Sequence, residues 1–362
     1  MKECTRCLFT EDIATIMEDG QCEYCKLHDK LEVQSTEFAP VLQKIKRSGR
    51  KYDCLIGISG GVDSSTLLYA AVIKWGLNPY VIHFDNGYNK PEAEENMRNL
   101  CRMSTYSGVK HREDISFERI KLSEEAQYEY QIMNMALLNY GLPDADIPND
   151  IAMTKIMYEK AKQLGIKYIL NGHDFRTEGS SPKGWSLIDS EYLASVYEKF
   201  TGRKAEHFPF FTKWDNIKYG LCGIKQVRPF HFKDVPRKEL ESEMRKMIRF
   251  VWYAAKHGEN NYTEYVGSFY LPFYHNIDKR LTYLSAQMRS GDLTRKEAKR
   301  IIENNKYNLN TKYFKQLNWY VGVNTAQRSD FKRTNFKKHR LIFWIAAKLR
   351  IVPYTFYAKY CK

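Results

Sequence analysis

The apolar residues of this chain fall into short continuous runs, each followed by a small polar cluster and then a helical pattern. The first run is Cys54-Leu55-Ile56-Gly57-Ile58. A run of this kind reads as a parallel strand buried on both faces. Ser59-Gly60-Gly61-Val62-Asp63-Ser64-Ser65 follows at once, and residues 66–72 carry the spacing of a helix with an apolar face. A second run, Tyr80-Val81-Ile82-His83-Phe84, comes after Asn78-Pro79 and ends in Asp85-Asn86-Gly87. Residues 92–105 read as a helix, 109–115 as a third strand and 117–140 as a long helix. Residues 141–148 read as a loop. Asp150 then caps a helix that runs to Leu164, and Gly165 stops it. A fourth strand, 166–170, ends in Asn171-Gly172-His173-Asp174. Strands alternating with helices predict an α/β fold built on a doubly wound parallel sheet.

Outside this unit the pattern changes. Residues 27–50 read as a helix with Pro40 at its start or at a break. Residues 182–225 show weak periodicity and many aromatics, among them Trp185, Tyr192, Phe208, Phe211 and Trp214. They are open to two readings, a ligand-facing insertion or satellite core. Residues 237–255 read as a basic amphipathic helix, and Thr294 and Glu297 stand at capping-box spacing before another helix. The expected division is a metal module over 1–30, the α/β unit over 31–235, a helical substrate-side region over 236–310 and a basic tail over 311–362.

Composition adds two points. Hydrophobic residues at 43% and charged residues at 28% suit a globular protein, and no apolar run approaches the roughly 20 residues that span a bilayer. A cytoplasmic location is the expectation. The net charge of +14 is concentrated at one end: residues 311–362 hold twelve Lys or Arg and one acid, Asp330, leaving the rest near neutral.

The strand, glycine-serine turn and helix at residues 54–72 form a phosphate cradle. Gly60 and Gly61 let the backbone approach an anion, and the helix N-terminus behind them adds free N–H donors and a favourable dipole. Ser59, Ser64 and Ser65 add hydroxyls. Asp63 fits poorly in an anion site unless it supports a magnesium ion or positions a serine. No Walker A sequence is present. In open α/β sheets ligands sit at the carboxyl ends of strands. That rule makes Asp85 and Asn86 candidates for reading adenine or ribose, against the alternative of a plain strand-ending turn. It makes Gly172 and His173, with nearby Glu178, candidate site residues. Near the N-terminus Cys4-x-x-Cys7 and Cys22-x-x-Cys25 stand 14 residues apart. Paired cysteines at this spacing predict four thiolates on one structural zinc ion, with redox chemistry as the competing reading.

The run SGGVDSS resembles the signature of the PP-loop ATP pyrophosphatases, the adenine nucleotide α-hydrolase-like fold. Together with the paired cysteines, Asn-Gly-His-Asp at 171–174, Lys256-His257-Gly258-Glu259-Asn260, Asp278-Lys279-Arg280 and Gly291 to Ala298, it is similar to the bacterial N-acetyl sugar amidotransferases of O-antigen and pseudaminic-type sugar biosynthesis. The resemblance covers about residues 1–305. It departs at 141–148, which lacks cysteines found in some members.

The resemblance implies that an acetamido group becomes acetamidino, with ATP split to AMP and pyrophosphate and Mg2+ on the phosphates. It implies catalytic roles for Asp63, His173, Lys256, His257 and Glu259, and substrate contacts from Glu178, Lys279 and Arg280. Gly220-Leu221-Cys222-Gly223-Ile224 faintly resembles a glutaminase elbow, but Ile224 stands where glycine belongs. Ammonia is therefore expected from a separate HisH-like glutaminase subunit, with a HisF-like ammonia-channelling subunit as a further partner. A tRNA-thiolating or lysidine-type PP-loop enzyme is the alternative, and a non-catalytic nucleotide sensor is disfavoured by the intact Asp63. No nucleic-acid partner is expected. In the tail, Leu341 to Ala347 forms a short apolar helix between cations. It is open to two readings, packing on the body or a partner, or lying in an anionic membrane interface, peripheral at the inner membrane.

Overall fold

The computed structural model describes residues 2–47, 51–103, 115–253, 258–304, 312–353, 356–357 and 360–361. At its centre is a five-stranded sheet in the order β3-β2-β1-β4-β5. The strands are β1 Cys54–Gly57, β2 Pro79–Phe84, β3 Phe117–Ile120, β4 Tyr168–Leu170 and β5 Lys225–Val227, and every pairing is parallel. The sheet is doubly wound. Cys54, Ile56 and Ile58 pack on one face with Leu67, Leu68, Met97 and Met244, while Leu55 packs on the other with Ile82, Ala161, Ile169 and Tyr219. Alternating side chains thus meet apolar cover on both sides, which is why β1 reads as an unbroken apolar run. From β1 the chain steps outward to β2 and β3, then crosses back to β4 and β5. The order reverses between β1 and β4, and in open α/β sheets ligands bind at the carboxyl ends of the strands at such a switch point.

Several expectations change. The third strand lies at Phe117–Ile120, where the long helix was expected to begin, and residues 109–114 of the expected strand fall outside the described residues. It is an edge strand with half-buried side chains, so Phe-Glu-Arg-Ile lacks a continuous apolar run. The long helix starts after it, at Glu124–Asn139, where Ser123 Oγ accepts from the Ala126 N–H at 3.3 Å. Asp150 caps nothing: its helix spans Ile147–Gln163 and Asp150 lies in the first turn. The aromatic segment is more ordered than its periodicity indicates. It holds the helices Ser190–Thr201 and Lys213–Leu221, and β5 begins at its end. The basic helix stops at Ile248, where Arg249 takes a left-handed conformation. Residues 27–50 carry two helices, Glu23–Gln34 and Ala39–Lys46, with Pro40 in the first turn of the second.

The C-terminal region is mainly helical. Residues 261–275 form a helical stretch, followed by Arg280–Arg289, Arg295–Asn304, Lys312–Asn318 and Arg340–Lys348. Tyr262, Tyr265 and Tyr270 are fully enclosed in one cluster with Tyr130, Met133, Ile151 and Tyr192. The core of the α/β unit therefore continues into the helical region. No helix among the described residues is long and apolar enough to cross a membrane.

Candidate active site and metal centre

The cradle forms as its sequence indicates, at the carboxyl end of β1. Gly61 precedes the helix Val62–Tyr69, and Gly60 adopts φ +76°. Three glycines here are required by close approach. A Cβ on Gly60 would lie 2.3 Å from the Ala93 carbonyl oxygen, one on Gly61 2.6 Å from Glu259 Oε1, and one on Gly172 2.8 Å from the Asp63 carbonyl oxygen. Ser59 N–H donates to Ser64 Oγ at 3.2 Å, and Ser64 Oγ donates to the Gly61 carbonyl at 3.3 Å. Ser65 is fully buried behind the loop.

Glu259 is brought onto this loop across 200 residues of chain: Ser59 Oγ donates to its Oε1 at 3.1 Å. The backbone explains how. Lys90 N–H donates to the Glu259 carbonyl at 2.9 Å and Asn261 N–H to the Tyr88 carbonyl at 2.8 Å, so residues 88–90 and 259–261 form a short antiparallel bridge. Tyr253 OH reaches the Gly60 carbonyl from the same side. Burial first, then the Glu259 and Asp63 carboxylates, raise the Tyr253 hydroxyl pKa and keep it a neutral donor. Lys256 and His257 lie outside the described residues.

Asp63 is paired with Arg237, whose side chain is buried. Arg237 also contacts Glu241 at 2.7 Å and Asp174 at 3.9 Å. Burial pushes the Asp174 carboxyl up, against the Arg176 N–H and the Arg237 charge. One guanidinium thus ties the start of the cradle helix to the end of β4. The sequence reading missed Arg237. A cation at a helix N-terminus is electrostatically adverse, and that anomaly was the available signal.

The remaining strand ends converge on the same edge. His173 Nδ1 lies 3.1 Å from His231 Nε2, and His173 Nε2 lies 3.7 Å from Glu178. His231, after β5, was not foreseen. Burial, then His173 and Arg228, lower its pKa to about 3, so it stays neutral at ordinary pH. At the end of β2, Asp85 pairs with Arg119 at 3.0 Å. Burial works to raise its carboxyl, and Arg119 with the Gly87 N–H overcomes this and lowers it. Asn86 is a structural junction. Its amide donates to Asn149 at 2.8 Å and accepts from Tyr88 N–H at 3.1 Å and Asn260 at 2.9 Å.

Arg280 is held by Asp278 at 2.6 Å, beside Lys279. Lys279 faces two acids, Asp146 and Asp150, that stand deep in the fold yet are reached by solvent. Burial raises both carboxyls, Asp150 to about 7 with Asp146 adding repulsion and Lys279 opposing it. Thr263 Oγ1 donates to Asp146 at 3.2 Å. These acids were read from sequence only as loop and cap.

The four cysteines form the second site. All are buried, and their sulfurs lie within 4.8 Å of one another. Cys4–Cys25 is 3.7 Å, and Cys7–Cys22 and Cys22–Cys25 are each 3.6 Å. A tetrahedral ion with metal–sulfur bonds near 2.3 Å sets sulfurs about 3.8 Å apart, so the arrangement fits one ion. Arg289 reaches in from the helix Arg280–Arg289, placing Nη2 3.2 Å from Cys7 Sγ and its guanidinium 4.8 Å from the centre of the Phe9 ring. Hydrogen bonds from Cys22 and Cys25 hold the Cys7 thiol far below its usual value, and Arg289 adds to this against burial.

Residues 259–342 match the family of LPS biosynthesis proteins, WbpG-like, C-terminal domain. An uncharacterized protein, MJ1599 of Methanocaldococcus jannaschii, is 28% identical over 185 residues, covering 48% of this chain and 59% of that protein. The chain thus spans less than two thirds of that relative. A solved structure, the U34-tRNA thiolase NcsA from Methanococcus maripaludis with its 4Fe-4S cluster, aligns over 90% of this chain and 99% of that one at 10% identity. Its TM-score of 0.29 is too low to carry fold or function across. The matched family segment begins at Glu259, the residue set against the cradle. From that residue to position 342 the chain is similar to WbpG-like lipopolysaccharide biosynthesis proteins, as its sequence motifs implied.

Proposed function

We propose that this protein is an ATP-dependent amidotransferase that converts an acetamido group of a nucleotide sugar to acetamidino in lipopolysaccharide O-antigen biosynthesis. The observation that carries the reading is the contact of Glu259 with Ser59 and Gly61. It joins the first residue of a sugar-biosynthesis segment to a loop shaped for phosphate. In this reading the amide oxygen attacks the α-phosphorus of ATP and pyrophosphate leaves. Ammonia then adds to the imidate carbon, and AMP leaves with the former amide oxygen, giving the acetamidino group as its amidinium cation. The backbone N–H groups and serines of the cradle stabilise charge on the departing pyrophosphate. Glu259 would offer a hard oxygen to Mg2+, whose charge would neutralise the phosphates. Asp63, held by Arg237, fixes the start of the cradle helix. His173, with His231 behind it, and the Lys279–Arg280 pair face the sugar side. Zn2+ is the ion assigned to Cys4, Cys7, Cys22 and Cys25. The cubane of an iron–sulfur cluster places one thiolate on each iron and holds the sulfurs much further apart. Ammonia comes from a separate glutaminase.

The test is incubation of the full chain with ATP, Mg2+, ammonium chloride and a set of UDP-linked N-acetyl sugars. AMP and pyrophosphate should appear with a sugar product lighter by the difference between O and NH. Glu259→Gln should cut AMP formation by about 100-fold or more while leaving the melting temperature in place. AMP formation driven by unmodified tRNA, and by no sugar, would overturn the proposal in favour of the RNA-modifying alternative.

A further inference from the structure

The helix Arg340–Lys348 has two apolar faces, and the fold uses one. Phe343, Ala346 and Ala347 are buried. Phe343 stacks on Trp214 with ring centroids 6.1 Å apart and meets Phe336 and Phe356 edge-on or tilted, each at 5.6 Å. The following residues close on the body as well, since a Cβ on Gly220 would lie 2.1 Å from the Ile351 carbonyl oxygen. On the opposite side Leu341, Ile342, Trp344, Ile345 and Leu349 are between 42% and 68% exposed. At about 100° per residue, Leu341, Ile342, Ile345 and Leu349 fall within one arc of about 100°, with Trp344 beside it. Exposed Leu221 stands next to Gly220 at the foot of the same helix. Five large apolar groups facing water on so short a helix ask for a partner.

The charge around the patch identifies that partner. Lys337, Lys338, Lys348 and Arg350, on and flanking the helix, are exposed, and residues 331–350 contain no acid. Among the described residues no carboxylate pairs with any of these four. Lys348 lies 5.7 Å from the Trp344 ring, its stem along the apolar face. Long cations beside an apolar strip sink their stems into a bilayer while their heads meet lipid phosphate. We propose that the outward face of the helix Arg340–Lys348 is a docking surface for an anionic membrane, on which the protein lies without crossing the bilayer. The apolar strip enters the boundary between headgroups and acyl chains, and the flanking cations meet the negative surface.

Flotation of the full chain with liposomes tests this directly. Phosphatidylglycerol–phosphatidylcholine vesicles in low salt should carry the protein to the top of the gradient. Pure phosphatidylcholine vesicles should not, and raised salt should release it. Lys337→Gln with Lys338→Gln should weaken partitioning by about 30-fold. Ile345→Asp should abolish it while the chain stays folded by its melting curve, because the side chain lies on the exposed face of the helix. Failure to float on anionic vesicles at low salt overturns the proposal. So does flotation untouched by both variants. If the free chain dimerises and Ile345→Asp makes it monomeric without any lipid dependence, the face joins two copies and the membrane assignment falls.

Discussion

The two ends of the chain solve one problem in opposite ways. Residues 2–34 and 312–353 are both appended to the α/β unit, and neither has a core large enough to fold alone. The N-terminal module closes inward. Its cysteines point at one another, and the body enters it through a few directed contacts: Arg289 on Cys7, Ser285 Oγ accepting from Leu8 N–H at 3.1 Å, and the Arg289 carbonyl accepting from Arg6 at 2.9 Å. The tail is laid on from outside. Gly322, Asn324 and Ala326 N–H groups donate to the carbonyls of Leu138, Asn139 and Tyr140, and Arg328 clamps Asp144 in a two-pronged pair at 2.6 and 2.7 Å. Beyond that clamp Lys332 N–H donates to Ser195 Oγ at 3.0 Å and Thr334 N–H and Oγ1 donate to Asp189 at 2.9 and 2.7 Å, and the helix Arg340–Lys348 itself is attached through apolar area. Directed bonds, with Leu8 packed on Leu284 and Ala298, tie the module to the body, and its four ligands face inward. Apolar area seals only the side that touches, and the tail keeps its other side open.

The largest effect should come from breaking the cysteine site. Cys22→Ser, or removal of the ion with a strong chelator, withdraws binding energy on the order of 10 kcal/mol from a segment that has little else. The expected result is loss of bound metal by elemental analysis, protease sensitivity over residues 2–34 and a lower melting temperature. An unchanged melt in metal-free protein would erase the contrast, because the module would then be held as the tail is. Next comes the tail's clamp. Asp144 is fully buried, and Arg328→Met leaves its carboxylate with only the neutral Tyr192 hydroxyl and Leu187 N–H. Unpairing a buried charge costs about 3–5 kcal/mol. Denaturant unfolding of this variant should show that loss, and proteolysis should begin in the tail. A loss below 1 kcal/mol would mean that the tail's hydrogen bonds and apolar contacts anchor it without the ion pair.

Arg289 measures how far the module depends on the body. Four thiolates around a divalent ion would carry net negative charge in this buried site, and Arg289 is the cation set against them. Arg289→Met keeps the volume and removes the charge. Outer-sphere partners of this kind are worth about 10- to 100-fold in metal affinity. Competition with a chromogenic chelator reads that number without reference to catalysis. Equal affinity in the variant would show the module to be self-sufficient and Arg289 to be a packing residue.

How much of this was legible in sequence depends on where the determinants lie along the chain. The cradle was readable because Cys54 to Val72 carries strand, turn and helix in one local stretch. The cysteine site was readable because its ligands come in two close pairs. β3 and β5 were not. Both are sheet edges, half-exposed, and Phe-Glu-Arg-Ile or Lys-Gln-Val offers no apolar run for a strand reading to find. The Arg237–Asp63 pair joins residues 174 apart, and nothing local to either names its partner. Glu259 was singled out through resemblance, yet its contact with Ser59 depends on the bridge between residues 88–90 and 259–261, a tertiary fact. For the tail helix, the seven apolar residues in a row left packing and a membrane interface both open. Periodicity does not say that burial would take only three of them.

That last point yields the smallest expected effect and the sharpest use of the comparison. If Leu341 and Leu349 face only water in the free protein, replacing both with serine removes no packing. Surface substitutions of this kind change stability by about 0.5 kcal/mol or less. Phe343→Ala, on the inner face of the same helix, removes a fully buried ring and should cost about 3–5 kcal/mol. Chemical denaturation of the two variants side by side compares the faces of one helix directly. A large loss in the Leu341→Ser, Leu349→Ser variant would mean that the outward face is covered even in the isolated chain, by another copy or another segment. A near-zero loss beside a large one for Phe343→Ala would show that stability keeps only the inner face apolar, so that the outer one must be kept apolar for something outside the fold.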